Sequence, residues 1–497
     1  MKRICMLLLA LIMLAVSICA CGTTGQNDHM ATKAPEQDPI VTEAPEDEPV
    51  TFADSSFEAA FRDKYEFGDE PIYMSDILEF TELDLSEWSL KDISDIALFV
   101  NLTKLDLSDN EISDISSLSN LMSLAELDLS RNCISNLSSL SNLTNLTMLD
   151  LHHDYEDTKS SKSCLSDIGS LSNLTNLIYL NLSCNKEISD LSPLSNLINL
   201  MTLNLSGTNI SDLNPLWNLT NLSELDLSGI WNNLSDLSPL WNLTNLTKLD
   251  LSYSWHSGDI SVLTNLTNLT ELYLNRDYAS SFPFGIIEDI SPLANLTKLT
   301  KLYLAGGHGI SDSDLSTLSN LTNLTELDLR CNLRISNISA LANFTKLTKL
   351  YLGGFSYGDY GGYSNDISDI SALANLTNLT ELDLSYSNIS GTSTLKNLVN
   401  LTELNLSGND LGDLSALSNL AKLTKLDINN CGLSDISALA NLKNLTELAL
   451  SYNDINDLTP LYGLTNLEAL NLSGNYSLSD LQIAELRSNI PNCSITT

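Results

Sequence analysis

From Phe80 onward the apolar residues recur in a fixed order. Leu102, Leu105 and Leu107 are followed by Asn110, Ile112, Ile115, Leu118 and Leu121, and Leu124 begins the order again. Leu105 and Leu107 alternate with Lys104, Asp106 and Ser108, the period of two that a strand with one buried face requires. The spacing then changes to three, through Ile112, Ile115, Leu118, Leu121 and Leu124. A strict period of three suits a 3₁₀ or extended wall better than an α-helix, whose apolar stripe follows a period of about 3.6. Units open at Phe80, Leu102, Leu124, Leu146, Leu177, Leu200, Leu222, Leu246, Leu269, Leu299, Leu324, Leu347, Leu379, Leu401, Leu423, Leu445 and Leu467, which makes 17 with a base spacing of 22.

Self-similarity at this period, carried by Leu-x-Leu and Asn, predicts a leucine-rich-repeat solenoid. The expected shape is a horseshoe or arc of about 17 repeats, with a parallel β-sheet on the concave face, a 3₁₀ or extended convex side and a helical cap at each end. Pro193, Pro215, Pro239, Pro292 and Pro460 share one position in the Asp-x-Ser/Asn/Thr-Pro-Leu turn, where a fixed φ and a missing N–H are tolerated. Asn110, Asn132, Asn185, Asn332, Asn409, Asn453 and Asn475 stand at the strand exit. They are expected to satisfy backbone groups in the turn, a structural role. Cys431 occupies the same position.

Units reading Leu-Thr-x-Leu-x-Leu-Ser-x-Asn-x-Ile-Ser-Asp-Ile-Ser-x-Leu resemble the internalin-type class of bacterial leucine-rich repeats, over roughly Phe52 to Ile495. Ser55 to Tyr65 looks like that family's helical N-terminal cap. Ser479 to Asn489 followed by Cys493-Ser494-Ile495 looks like a helix-plus-strand end cap. The resemblance implies a cell-surface protein that binds a partner. The family's C-terminal sorting signal is not seen, so anchoring is expected to rest on the other end of the chain.

There, Met1-Lys2-Arg3 precedes an apolar run from Ile4 to Ala20, the order of a secretory signal peptide and marginal in length for a membrane span. Ile18-Cys19-Ala20-Cys21 resembles the bacterial lipobox, which implies diacylation of Cys21. Pro35, Pro39, Pro45 and Pro49 then lie among Glu, Asp, Thr and Gln, a composition too poor in apolar surface to fold. The expected organisation is a lipoprotein signal peptide (1–20), an acidic, Pro-rich disordered tether (21–51), an N-terminal cap (52–79), the repeats (80–476) and a C-terminal cap (477–497).

The formal charge is −39, from 63 acidic against 24 basic side chains. A surface this acidic repels phosphate backbones and anionic lipid heads, so nucleic acid is excluded as a partner and a cationic or neutral one is favoured. Stacked strands turn solvent-facing positions into ladders about 4.8 Å per rung. One ladder runs Glu224, Lys248, Glu271, Lys301, Glu326, Lys349, Glu381 and neutralises itself. The next runs Asp84, Asp106, Asp128, Asp150, Asn181, Asn204, Asp226, Asp250. Its carboxylates read as a solvated acidic face paired with the Lys rungs, with Ca²⁺ binding as the alternative.

That Asp column changes character at Tyr273, Tyr303 and Tyr351. The change coincides with insertions just after the strand at His152 to Cys164, Asn275 to Asp289 and Gly353 to Asp366. The last two carry Tyr278, Phe282, Phe284, Phe355, Tyr357, Tyr360 and Tyr363, and Tyr253, Trp255 and Arg330 lie on the same side. Aromatics with Arg amid an Asp/Ser-rich surface have the composition of a contact hot spot. Neutral drift of Gly-rich loops is the plainer reading of the same residues.

Gly354-Phe355-Ser356-Tyr357-Gly358 spells the Gly-x-Ser-x-Gly of a nucleophile elbow, which needs a strand, a sharp turn and a helix. No helix pattern follows. His152-His153-Asp154 offers metal ligands without a further cluster. Cys133 and Cys164 each precede the first convex apolar residue of adjacent units, a separation inside the Cα window of a disulfide; the insertion between them shifts the register, so free thiols are the expected state and a disulfide is the alternative. The reading that unites these features is a lipid-anchored protein facing outward from a bacterial envelope. It binds a protein or peptide through its concave face and aromatic insertions, as a monomer, without cofactor or catalysis, in adhesion or host interaction. A cell-wall glycan-binding module using the same aromatics and an esterase using Ser356 stay open.

Overall fold

The computed structural model describes residues 47–154, 165–230, 234–254, 258–276, 286–287, 289–306, 309–356, 362–363 and 365–497. Glu48–Thr497 forms one compact unit. Residues 1–46, which hold the expected leader, Cys21 and most of the expected tether, lie outside the described residues.

Within that unit each repeat contributes a three-residue strand to one 18-stranded sheet. All the pairings in it are parallel and in register, so that Leu83, Leu105, Leu127 and Leu149 share one inward column. Seventeen of the strands belong to the repeats, and Ser494–Thr496 beside Ala469–Asn471 closes the series. Alternation aims each central Leu inward, where it meets the convex apolar set. Leu102, Leu105, Leu107, Ile112, Ile115, Leu118 and Leu121 are all at most 1 % exposed. The convex side returns by short 3₁₀ segments such as Ser116–Asn120 and Ser339–Asn343, as the period of three requires.

One unit departs from that wall. Between Leu299 and Leu324 the convex side holds an α-helix, Asp312–Thr317, opened by a capping box between Ser311 and Asp314. The unit is longer than the base spacing, and its Ser-x-x-Asp start satisfies the first N–H groups, so an α-turn forms there.

The parallel stack leaves each strand-exit turn with unpaired backbone groups, and side chains satisfy them. Asn110 Nδ2 donates to the carbonyls of Leu85 and Leu107 at 2.8 and 2.9 Å, and its Oδ1 accepts from Leu90 N at 2.9 Å. Asn132, Asn409, Asn453 and Asn475 repeat the pattern. The Cys431 thiol donates to Leu406 O at 3.3 Å in the same place. Asn365 was not evident as one of this series, because an insertion separates it from its strand. Its Nδ2 nevertheless donates to Leu329 O and Leu352 O at 3.0 and 2.7 Å. A second ladder runs through threonines, each bonding the carbonyl one rung back through both N and Oγ1, as Thr325 does to Thr300.

The ends of the core are closed by caps. Helix α1 (Ser55–Lys64) starts at Asp54 and buries Phe57 and Phe61. Phe61 packs edge-on against Phe80 and Phe99, each at 5.2 Å. Asp95 holds the cap in place by accepting from Ala53 N and Asp54 N at 2.7 and 2.9 Å. At the other end a helix, Asp480–Asn489, begins at Ser479 with Gln482 completing a capping box.

Candidate ligand-binding face

Two columns of side chains stand on the solvent side of the sheet, fixed by the register. In the first, Lys301 Nζ lies 3.2 Å from Glu271 and 3.9 Å from Glu326, and Lys349 Nζ lies 2.8 Å from Glu381. Lys104–Glu126 and Lys425–Glu447 pair likewise at 3.0 and 3.2 Å. The alternating ladder is therefore largely satisfied within the protein.

The Asp column works differently from the expected pairing with lysines. Each carboxylate accepts the N–H two residues ahead, capping its own strand exit: Asp106 from Ser108 at 2.9 Å, Asp250 from Ser252 at 2.8 Å, Asp383 from Ser385 at 2.9 Å. Asparagine does the same at Asn204 and Asn405. A second acidic series enters the 3₁₀ segments in the same manner, Asp114 to Ser116 and Asp190 to Ser192, both at 2.8 Å. Much of the negative charge thus serves backbone N–H groups. Burial, with repulsion from neighbouring aspartates, pushes the carboxyls of Asp128, Asp250, Asp383 and Asp427 up from their ordinary value. Among the described residues no group of His, Cys, Asp or Glu is gathered as metal ligands are.

At Tyr273 and Tyr303 the column becomes aromatic. These two pair in register on neighbouring strands and stack at 4.8 Å with planes 22° apart. Asp328 separates them from Tyr351. Each hydroxyl is tied to the ladder beside it: Tyr273 to Glu271 at 2.9 Å, Tyr303 to Glu326 at 2.6 Å, Tyr351 to Glu381 at 2.5 Å. Burial and these carboxylates push all three phenols up, so they stay neutral hydrogen-bond donors. The three tyrosines are half-buried and held by these hydroxyl bonds.

Arg330 is engaged inside the protein. Its Nε and Nη2 lie 3.0 and 2.6 Å from the fully buried Asp328 carboxylate, and its Cζ sits 5.1 Å from the Tyr351 ring centre. Beside Tyr351, a groove of about 480 Å³ runs over Asp383, Asn405, Asp427, Ala449 and Asn471.

Other residues singled out in the sequence are scattered around this face. Tyr253 stands in the strand-exit turn at φ 57°, 46 % exposed. Phe355 and Tyr363 oppose each other in a short antiparallel hairpin, with Ser356 opposite Gly362. Ser356 lies in a two-residue strand, and among the described residues the next helical segment is Ser371–Asn375; a nucleophile elbow needs strand, sharp turn and helix in direct succession. Trp255, Tyr278, Phe282, Phe284, Tyr357 and Tyr360 lie outside the described residues, as does Cys164, the suggested partner of Cys133. His152 Nδ1 meets Asp150 at 2.8 Å, while His153 Nδ1 meets Asp154 O at 3.2 Å. Exposed Trp217 and Trp241 on the convex side were not singled out by composition; their signal is that each replaces the small residue after Pro-Leu in consecutive units.

Comparison with known proteins agrees with this geometry. Models described as leucine rich repeat match residues 100–155, 297–354, 375–393, 399–441 and 443–488. An internalin (inlF) from Listeria monocytogenes is 30 % identical, over 84 % of this chain and 95 % of that one, with a TM-score of 0.45. A leucine-rich-repeat protein of Leptospira interrogans is 23 % identical over 85 % and 97 %, with a TM-score of 0.62. The ectodomain of the plant membrane receptor kinase GASSHO1/SCHENGEN3 from Arabidopsis thaliana is 21 % identical over 86 % and 54 %, with a TM-score of 0.57. Comparison with curated proteins finds no match. The chain belongs to the leucine-rich-repeat proteins of internalin type.

Proposed function

We propose that this is a bacterial surface recognition protein, anchored through a diacylated Cys21, that binds a protein or peptide on its concave face between the units opening at Leu246 and Leu379. The observation that carries the reading is the Tyr273–Tyr303 stack beside Tyr351. Rings already held by Glu271, Glu326 and Glu381 lose little freedom on contact, and fixed aromatic area of this kind supplies most of the energy in protein interfaces. The aromatic insertions adjoin the same units in sequence. The net charge of −39 favours a partner with positive charge. The Arabidopsis ectodomain, similar in fold, was solved in complex with CASPARIAN STRIP INTEGRITY FACTOR 2.

Affinity capture with the full chain tests the reading. A partner held by the wild type and lost by Tyr303→Ala and Tyr351→Ala supports it; a partner indifferent to both removes it. Metabolic acyl labelling tests the anchor separately, since label should enter the wild type and not Cys21→Ala.

A second reading has its own observation. Trp217 and Trp241, 42 % and 47 % exposed, flank a convex groove with Asp236 and Asp259. Such rings stack on sugars, so retention on peptidoglycan that is lost in Trp241→Ala would favour a cell-wall glycan ligand.

A further inference from the structure

One two-rung arrangement occurs twice on the concave face, once filled and once open. In the filled copy Asp328 and Tyr351 occupy the same column on successive strands. Arg330, two residues past Asp328, turns its guanidinium onto that carboxylate and over the Tyr351 ring. A planar fork on a carboxylate with an aromatic face beneath it is the combination that guanidinium fits and ammonium does not.

In the open copy Asp250 and Tyr273 stand in the same order in the same column. The backbone frames agree, because Ser252 N donates to Asp250 Oδ1 at 2.8 Å where Arg330 N donates to Asp328 Oδ1 at 3.0 Å. The side chain two residues on differs: Ser252, 3 % exposed and accepting from Asn275 N at 3.2 Å through its Oγ, stands where the filled copy has Arg330. Asp250 is partly exposed, whereas Asp328 is fully buried. Tyr303 covers one face of Tyr273, and among the described residues no ring is stacked on the face toward the Asp250 strand, where the proposed ligand would sit. Asp226, on the strand before, adds like charge to the site.

We propose that the Asp250–Tyr273 step is a guanidinium site that takes an arginine side chain presented by the partner. It rests on the reading that a protein or peptide occupies the concave face, and it specifies one residue that the partner carries. Arg330 shows within the same chain how such a side chain is held: the fork on the carboxylate, the cation on the ring.

The test uses the full chain and two capped pentapeptides, Gly-Gly-Arg-Gly-Gly and Gly-Gly-Lys-Gly-Gly, with saturation-transfer NMR to read weak binding. Wild type and Asp106→Asn, a charge change of the same size far from any tyrosine of the column, should transfer saturation to the arginine methylenes and less to lysine. Asp250→Asn should weaken arginine binding by about tenfold. Ser252→Arg should do the same by filling the slot from within, and Arg330→Ser should raise transfer by opening the second copy. Equal transfer in wild type, Asp250→Asn and Ser252→Arg overturns the proposal. If Ser252→Arg does not fold, Asp250→Asn decides alone, because asparagine already serves this turn at Asn204 and Asn405. A captured partner that needs Tyr303 but not Asp250 leaves the concave-face reading intact and removes the arginine. Loss of arginine binding in Asp250→Asn with a partner indifferent to both Tyr303→Ala and Tyr351→Ala does the reverse.

Discussion

Tyr303 stacks on Tyr273 from the neighbouring strand, with ring centres 4.8 Å apart, and both hydroxyls are held by glutamates of the adjoining column. Residues far apart in sequence thus form one rigid aromatic surface, because the parallel register places every column position of one unit against that of the next.

Truncating the centre of that surface should be costly for binding. Tyr303→Ala is expected to weaken the captured partner by about 2 kcal/mol or more, and Asp106→Ala to leave affinity nearly unchanged. Calorimetric titration of both variants checks this; loss in Asp106→Ala alone would misplace the site.

Stability should be spread along the stack, since each unit buries its leucines only against its neighbours. Leu404 is 2 % exposed in the central column, and Leu404→Ala should cost about 2 to 5 kcal/mol in urea unfolding. Wild-type stability in that variant would contradict its inward orientation.

Asn409 donates to Leu384 O and Leu406 O, both at 2.8 Å, and accepts from Ser387 N and Ile389 N. Asn409→Ala strands these buried groups and should cost about 2 to 3 kcal/mol. Asn409→Cys should cost less, because Cys431 already serves this position with its thiol. Equal losses in the two variants would argue against the hydrogen-bonding role.

The hydrogen bond to Asp150 raises His152 above its ordinary 6.5, against the opposing effect of burial. Burial pushes Asp150 up, but bonds from the His152 ring and backbone outweigh it and hold the carboxyl below its ordinary 3.8. The His152 contribution is full below about 6.5 and is lost as pH rises through the raised folded value. The Asp150 contribution is present above about 3.8 and lost as pH falls through the lowered one. Wild type should therefore exceed His152→Asn in stability most between those two ordinary values, in the weakly acidic range, and the difference should fade above neutrality. Melting both proteins across that range measures it.

Asp383 is held above its ordinary 3.8 chiefly by burial, with Asp328 adding repulsion. A carboxyl raised on folding is costly when ionised, and that cost disappears as pH falls through the folded value. Asp383→Asn keeps the bond to Ser385 N, as Asn405 does to Ser407 N. It should stabilise the protein at neutral pH by about 1 kcal/mol or less, with the gain vanishing near pH 4. A destabilised variant at pH 7 would show that the charge itself holds the turn.

The sequence by itself determined the repeat, the strand, the inward leucines, the asparagine ladder and the helical ends, because each follows from local periodicity that a stack must obey in every unit. It also placed Tyr273, Tyr303 and Tyr351 in one column. Tertiary structure alone decided what those positions do. It turned Arg330 from an outward contact into a partner of Asp328 and Tyr351, and returned Asn365 to the ladder after an insertion. It also set the acidic column on backbone N–H groups rather than on lysines. The physical reason is that periodicity fixes which residues share a column, whereas hydrogen bonds and ring contacts depend on side-chain direction between rungs, which composition does not record.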